Sequence, residues 1–409
     1  MLKLLRWLVL PTLLLAGCGL LPTTSSPTQS ATPAAKPAAG APTAPSGAAP
    51  AGQTGSAPAP AAPAPPPSPS PSPTPVPKVS VKLGTSSSLG GWVMDVAEAQ
   101  GYLAAQGIVL DRKESDPGSS ATAEDVDKGD RDVGVVTTDR LIQVGRNGEG
   151  LVMVAGLVNK ATNSLIAARD VPDFGALKGK PIGYLDDKSA SAAIVKRVLK
   201  DKGISENDSK PITFPDPGVV GAAVANGTVG ASLVDPPRAG RLRASGFDVL
   251  AEADDVAKDF QAEGLVVRPD WARQNEELLT RLIRATIQAE RWITTPANKP
   301  AAVEQLARSL GVNTAEATVV YEQYVEKLGA IPSEGDIDQA GVRGVVDLLS
   351  EIGAAGDPKP EPARLADTTW LQRAKGIVSP GPGAAGSPTG ATGSPTRAAG
   401  SPSPSPAPR

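Results

Sequence analysis

Residues 181–203 run PIGYLDDKSASAAIVKRVLKDKG. Pro181 to Leu185 is short and apolar-rich and predicts a strand. Asp186-Asp187-Lys188-Ser189 is a polar loop. Ala192, Val195, Val198 and Leu199 then recur at helical spacing until Gly203 stops the helix. Strand, loop and helix in immediate succession are the repeating theme of an α/β protein.

The same theme extends in both directions. Upstream, Val79 to Leu83 alternates as a strand, and Gly84 to Gly91 is a polar loop rich in serine. A helix over Val93 to Gln100 follows, then strands at Ile108 to Leu110 and Asp132 to Val136, with weak helical spacing at Ala121 to Lys128 between them. Leu151 to Leu157 is a near-continuous apolar run, as suits a strand buried on both faces of a parallel sheet. Ser164 to Ala168 is a further strand. Downstream, Ile212 to Phe214 and Gly230 to Val234 predict strands flanking a helix at Val219 to Ala225. Asp235-Pro236-Pro237 stops pairing. After a strand at Gly264 to Val267 the chain turns helical: Asp270 to Thr295 with Asp270 as N-cap, then Pro300 to Leu310, Thr314 to Leu328 and Asp336 to Ile352. The expectation is an α/β architecture with mostly parallel sheets. Ligands on such sheets sit beyond the carboxyl ends of strands. The loops after Leu83, Val136, Leu157, Leu185 and Val234 are therefore the binding candidates.

The two ends of the chain differ from this core. Lys3 and Arg6 precede a short apolar stretch from Leu8 to Leu15, and Leu15-Ala16-Gly17-Cys18 follows. Charge, short apolar core and small residues are the order of a secretory signal. The run is too short for a spanning helix, which needs about 20 residues. Leu-Ala-Gly-Cys resembles the bacterial lipobox, which implies a signal peptide over residues 1–18 and lipidation of Cys18. Residues 19–78 are Pro, Ala, Ser, Thr and Gly, with Lys36 as the only charge before Lys78. Such a segment cannot bury enough apolar surface to order itself. It predicts an extended tether reaching on the order of 150 Å. Residues 379–409 repeat Gly-Ser-Pro-Thr and Ser-Pro-Ser-Pro units and predict a second disordered tail.

Composition narrows the chemistry. The chain of 409 residues has no histidine and one cysteine, and its net charge is −3. Ser-His-Asp and Cys-His catalysis, histidine-ligated metals and thiolate zinc sites are excluded. Acidic and basic residues are mixed, without a nucleic-acid footprint. Asp125, Asp127, Asp130 and Asp132 fail calcium-loop spacing, because glycine falls where a ligand belongs. No cofactor and no metal is expected. The core of roughly 300 residues exceeds what one lobe usually holds, so two lobes are expected.

Several segments together resemble a known family. Ala97-Glu98-Ala99-Gln100-Gly101-Tyr102-Leu103 with Gln106-Gly107-Ile108-Val109-Leu110 is similar to its "Ala-x-x-x-Gly-Tyr-Phe … Glu-Gly-Ile-x-Val". Lys128 to Gly134, Leu177-Lys178-Gly179-Lys180-Pro181-Ile182-Gly183 and Ala222 to Pro236 match further motifs in order. The family is that of type 2 periplasmic binding proteins of the nitrate, sulfonate, taurine and thiamine-pyrimidine group. The resemblance spans most of residues 79–355. It implies two α/β lobes joined by a two-strand hinge, residues 79–163 plus 262–378 and residues 164–261. It also implies solute capture in the cleft, monomeric delivery to ABC permease subunits, a membrane-attached extracytoplasmic location and no enzymatic activity. A sensor of the same fold, presenting its solute to a membrane receptor, is the alternative.

The site expected on this basis draws on both lobes. Ser86, Ser87 and Ser88 present hydroxyl and N–H groups to a ligand, or form only a polar loop. Trp92 stacks on a planar solute, or packs the first helix. Thr137, Thr138 and Asp139 end a strand, and Asp139 departs from the small residue usual in the family. It binds a cationic or donor-bearing ligand, or caps a helix. Ser189 and Ser191 stand at a helix N-terminus, where N–H groups are free. Asp187 beside them adds negative charge. Asn159 and Asp235 end strands at the same level. Asp235 stands where the family commonly has Glu, and it binds ligand or holds the Pro236 turn. Hydrogen bonding outweighs charge pairing in this set, which points to a small polar or heterocyclic solute.

Overall fold

The computed structural model describes residues 77–376 apart from 116–119, 146–149, 206–207 and 215–216. Cys18, nearly all of the Pro-rich segment and the tail beyond residue 376 lie outside the described residues.

Among the described residues, ten strands form two five-stranded sheets. The strands are β1 (Val79–Ser86), β2 (Ile108–Ser115), β3 (Val133–Thr137), β4 (Val152–Val158), β5 (Ser164–Ala167), β6 (Pro181–Tyr184), β7 (Lys210–Thr213), β8 (Ala231–Val234), β9 (Val249–Glu252) and β10 (Glu263–Val267). The first sheet has the order β2-β1-β3-β10-β4 and the second β7-β6-β8-β5-β9. β1 pairs in parallel with β2 and β3, and β6 with β7 and β8. β10 and β5 run against their neighbours. The reason lies in the connections. Helices return the chain between parallel strands, but β5 and β10 arrive directly from the other sheet. They start where the parallel strands end, so they point away from the junction. The architecture is α/β with two lobes, as the sequence predicts.

Burial explains the strand patterns. All seven residues of β4 are buried, which its unbroken apolar run requires. One core lies between the first sheet and the helices Leu89–Ala99, Glu276–Thr294 and Lys299–Leu310. A second joins Val136 and Met153 of the first sheet to Leu165 and Ile182 of the second. Val342, Val345 and Leu349 of the helix Gln339–Glu351 belong to that cluster. This helix approaches the β9–β10 crossover through glycines. A Cβ built on Gly344 would stand 2.1 Å from the Asp259 carbonyl oxygen, a backbone atom that has little room to yield. Gly344→Ala is expected to lower stability by about 1–3 kcal/mol in urea denaturation.

The crossovers are tied by a polar cluster. Ser164 Oγ donates to Glu252 Oε2 (2.7 Å) and accepts from Arg243 Nη2 (2.8 Å). Tyr324 lies 3.0 Å from the same Oγ, whose hydrogen is already given to Glu252, so the phenol donates. Burial pushes the Tyr324 hydroxyl up to about 12, which keeps this donor in place at neutral pH.

Four element readings change. The helix expected from Asp270 is two helices, Pro269–Gln274 and Glu276–Thr294, broken at Asn275. Arg268 occupies the N-cap, and Asp270 sits in the first turn beside it. Thr314 to Leu328 is an α-helix to Val320 followed by a π-helical turn, Tyr321–Lys327, which carries Tyr324. The helix Pro236–Ala244 follows β8 directly; proline in its first turn pre-sets the backbone there. β9 carries no clear alternation, because all four of its residues are half-buried.

One buried carboxyl carries a pH signature. Glu290 is fully buried, accepts from Gly335 N at 2.6 Å through Oε2, and leaves Oε1 without a partner. Burial raises it well above its ordinary value of 4.5, with Asp336 and Glu334 adding to the effect. The folded chain thus retains a proton that the unfolded chain releases. Its stabilising contribution is complete below about pH 4.5 and is lost as pH rises through the folded value. Relative to Glu290→Gln, the native chain is expected to lose up to about 1.4 kcal/mol per pH unit across that window. Denaturation at pH 5 and pH 7 measures this difference.

Candidate ligand-binding site

The carboxyl ends of β1, β3, β6 and β8 meet around a cavity of about 160 Å³. A dry cavity of about 150 Å³ accepts benzene, which sets the size of a fitting molecule. The first sheet contributes Ser86 to Leu89, Val135 to Arg140, and Glu263 at the head of β10. The second contributes Gly183 to Leu185, Ser189 to Ala192, and Leu233 to Arg238. The crossovers add Thr162, Asn163, Phe260 and Ala262.

Two glycines bring the helix Leu89–Ala99 close to this floor. A Cβ on Gly91 would lie 2.1 Å from Ser86 O, and one on Gly90 would lie 2.3 Å from the Glu263 carboxylate. Ser88 caps the helix, accepting from Gly91 N at 3.1 Å, and its Oγ donates to Glu263 Oε2 at 2.9 Å. Gly90 N donates to the same oxygen at 2.7 Å. Burial raises the Glu263 carboxyl above its ordinary value against these two donors, and the charge of Asp235 adds to the rise.

The walls are joined across the cavity. Asp139 Oδ1 accepts from Thr137 Oγ1 (2.5 Å) and Arg140 N (2.9 Å), while its Oδ2 accepts from Ala190 N (3.1 Å) on the opposite wall. Arg140 Nη1 donates to Asp186 Oδ2 at 2.7 Å, and Gln143 Nε2 donates to Lys188 O at 2.8 Å. Burial opposes ionisation of Asp186, yet Lys188 N–H and Arg140 outweigh it and hold the carboxyl below its ordinary value. On the second wall Asp235 caps the helix Pro236–Ala244, accepting from Arg238 N at 3.1 Å, and pairs with the Arg238 guanidinium. Burial pushes its carboxyl up, and Arg238 pulls against that.

The structure brings most of the expected residues to the cavity. Ser86, Ser87, Ser88, Thr137, Thr138, Asp139, Ser189, Ser191 and Asp235 line it. Within that set, Ser87 Oγ is engaged with Ser309 O (3.0 Å), and Thr138 Oγ1 with Gln261 O (2.6 Å). Ser189 acts as cap to Ala192 N (3.2 Å). Three expected residues stand elsewhere. Trp92 is fully buried in the first core, edge-to-face with Tyr321 at 6.3 Å between ring centroids. Asn159 holds the C-terminal segment, donating from Nδ2 to Asp336 O at 2.7 Å and from its backbone N to Ala330 O at 2.8 Å. Asp187 is exposed outside the lining, and its neighbour Asp186 makes the contact to Arg140. Glu263, Thr162, Asn163 and Tyr184, outside the expected set, line the cavity as well. Glu263 had a signal: a charged residue heading the apolar strand Gly264 to Val267. Among the described residues no His, Cys, Asp or Glu group is arranged to hold a metal.

Two α/β lobes whose strand ends meet around one small cavity, lined by polar and apolar groups, define the class of fold. Residues 93–299 match the family model described as NMT1/THI5 like, and the chain belongs to that family. The nitrate-binding protein NrtA of Synechocystis PCC 6803 superposes with a TM-score of 0.59 at 15% identity, over 74% of this chain and 89% of that one. The alkanesulfonate-binding protein SsuA of Xanthomonas axonopodis pv. citri, bound to MOPS, gives 0.56 at 17% identity, over 70% and 96%. The desulfurization enzyme DSZB gives 0.56 at 16% identity, over 73% and 99%. At these identities the likeness establishes the fold. A search of the curated proteins gives no match.

Proposed function

We propose that this chain is the lipid-anchored, extracytoplasmic solute-binding subunit of an ABC importer. It captures a small polar or heterocyclic solute between its lobes and delivers it, as a monomer, to the permease. Cys18 carries the anchor and residues 19–78 span the distance to the folded lobes, residues 79–163 with 262–378 and residues 164–261. The observation that carries this reading is the cavity itself. Strand ends from both sheets converge on it, and Asp139, Arg140 and Gln143 of one wall bond to the loop and helix start at residues 186–190 of the other. Nitrate- and sulfonate-binding proteins sharing the fold support it. The desulfurization enzyme shows that the fold also accommodates catalysis. Here the chain has no histidine and its single cysteine is Cys18, so histidine or cysteine chemistry has no residue in the cavity.

A thermal-shift panel on the full chain tests the proposal. The panel contains pyrimidines, flavins, sulfonates, nitrate, bicarbonate and amino acids. A true ligand at 100 times its dissociation constant adds about 2.7 kcal/mol, and the melting point rises by several degrees. A flat response to the whole panel contradicts a solute-binding role in these classes.

A further inference from the structure

We propose that the cavity selects a solute bearing a cationic nitrogen, held by Glu263, over anions such as sulfonate or nitrate. The inference rests on the solute-binding reading above and names the chemistry of its ligand.

Charge is the first argument. Two guanidinium groups line the cavity, and each is already matched. Arg140 pairs with Asp186, and Arg238 pairs with Asp235. Asp139 and Glu263 also line it, and among the described residues neither has a basic side chain as partner. Carboxylates therefore outnumber cations around a small enclosed space, where low dielectric magnifies the imbalance.

The second argument is that several N–H groups an anion would use are already taken. A helix N-terminus attracts anions through its free N–H groups. At three of the helices that start at this cavity, several of those groups are taken by the chain's own oxygens. Glu263 and Ser88 take Gly90 N and Gly91 N of the helix Leu89–Ala99. Asp139 and Ser189 take Ala190 N and Ala192 N of the helix Ala190–Asp201. At the helix Pro236–Ala244, Pro236 and Pro237 have no N–H to offer, and Asp235 takes Arg238 N. To reach Gly90 N, Ala190 N or Arg238 N, an anion would have to displace Glu263, Asp139 or Asp235.

The third argument is the hydrogen bonding of Glu263. Oε2 of Glu263 accepts two hydrogen bonds, yet Oε1 has no partner among the described residues. One oxygen is fixed and the other is open in a cavity whose cations are already committed. An ammonium or amidinium N–H would give Oε1 a donor and a balancing charge together, in a charge-assisted bond about twice as strong as a neutral one.

Benzamidine, benzamide and benzenesulfonate share one ring and differ in charge, and the ring matches the cavity's size. Titrating them into the full chain, alongside the solute panel, tests the inference. Benzamidine is expected to bind at least tenfold more tightly than benzamide, and benzenesulfonate not at all. Glu263→Gln, checked for an intact melting transition, is expected to abolish the preference for benzamidine. Glu263→Asp, which keeps the charge, is expected to retain part of it. If Glu263→Gln does not fold, the ranking on the native chain still decides. A neutral or anionic compound binding more tightly than benzamidine overturns the charge inference and leaves the solute-binding reading standing. Absence of binding by every compound overturns the solute-binding reading itself.

Discussion

Replacing Trp92 by alanine is expected to lower the unfolding free energy by about 3–5 kcal/mol while leaving the affinity of the folded protein for its solute unchanged. The side chain is fully buried on the helix Leu89–Ala99 and meets Tyr321 edge-to-face. Its removal leaves a cavity that Tyr321 and the surrounding aliphatic side chains refill only in part. Were Trp92 a stacking platform for the ligand, the cost would fall on affinity. Urea denaturation and solute titration on the same variant separate the two effects. A large loss of affinity with little loss of stability would place the indole at the ligand after all.

Arg140→Ala has the second large effect, and it acts on the closed arrangement. The Arg140 side chain is 11% exposed and that of Asp186 32%, so the pair is shielded but not sealed from solvent. Truncating Arg140 leaves the Asp186 carboxylate facing a low-dielectric wall without its cation. Removing one partner of a fully buried pair costs about 3–5 kcal/mol, and partial solvent access reduces this to about 1–3 kcal/mol. That loss falls on the closed state, so affinity is expected to drop roughly tenfold to a hundredfold. Small-angle scattering of the ligand-free variant is expected to give a larger radius of gyration than the native chain. Unchanged scattering and unchanged affinity would show that the Arg140–Asp186 contact does not hold the lobes together.

Much of the fold was legible because the deciding signals are local. The unbroken apolar run of β4, the helical spacing of Ala192 to Leu199 and the arrest at Gly203 need no tertiary context. The rule that ligands lie beyond the strand ends pointed to the loops at Ser86 to Ser88, Thr137 to Asp139 and Asp235, and these loops line the cavity. Side-chain direction within those loops was not legible. Trp92 follows two glycines at a helix start, and only the packing of Gly90 on Glu263 and Gly91 on Ser86 O fixes the helix rotation that sends the indole into the core. Asp186 and Asp187 are adjacent acidic residues in one turn, and nothing local says which of them faces Arg140. Glu263 had a local signal as the charge heading an apolar strand, but its place at the cavity depends on topology. It reaches the cavity only because β10 arrives from the other sheet and runs away from the junction.

The most direct test of solute capture in this cavity compares the native full chain with Ser191→Trp by calorimetric titration of the best solute from the panel. Ser191 lines the cavity near the start of the helix Ala190–Asp201, and an indole there fills the space. The account predicts saturable binding of one solute per native chain and none to the variant, with the variant still folded. Equal affinity in both proteins, or no saturable binding to the native chain, would contradict it.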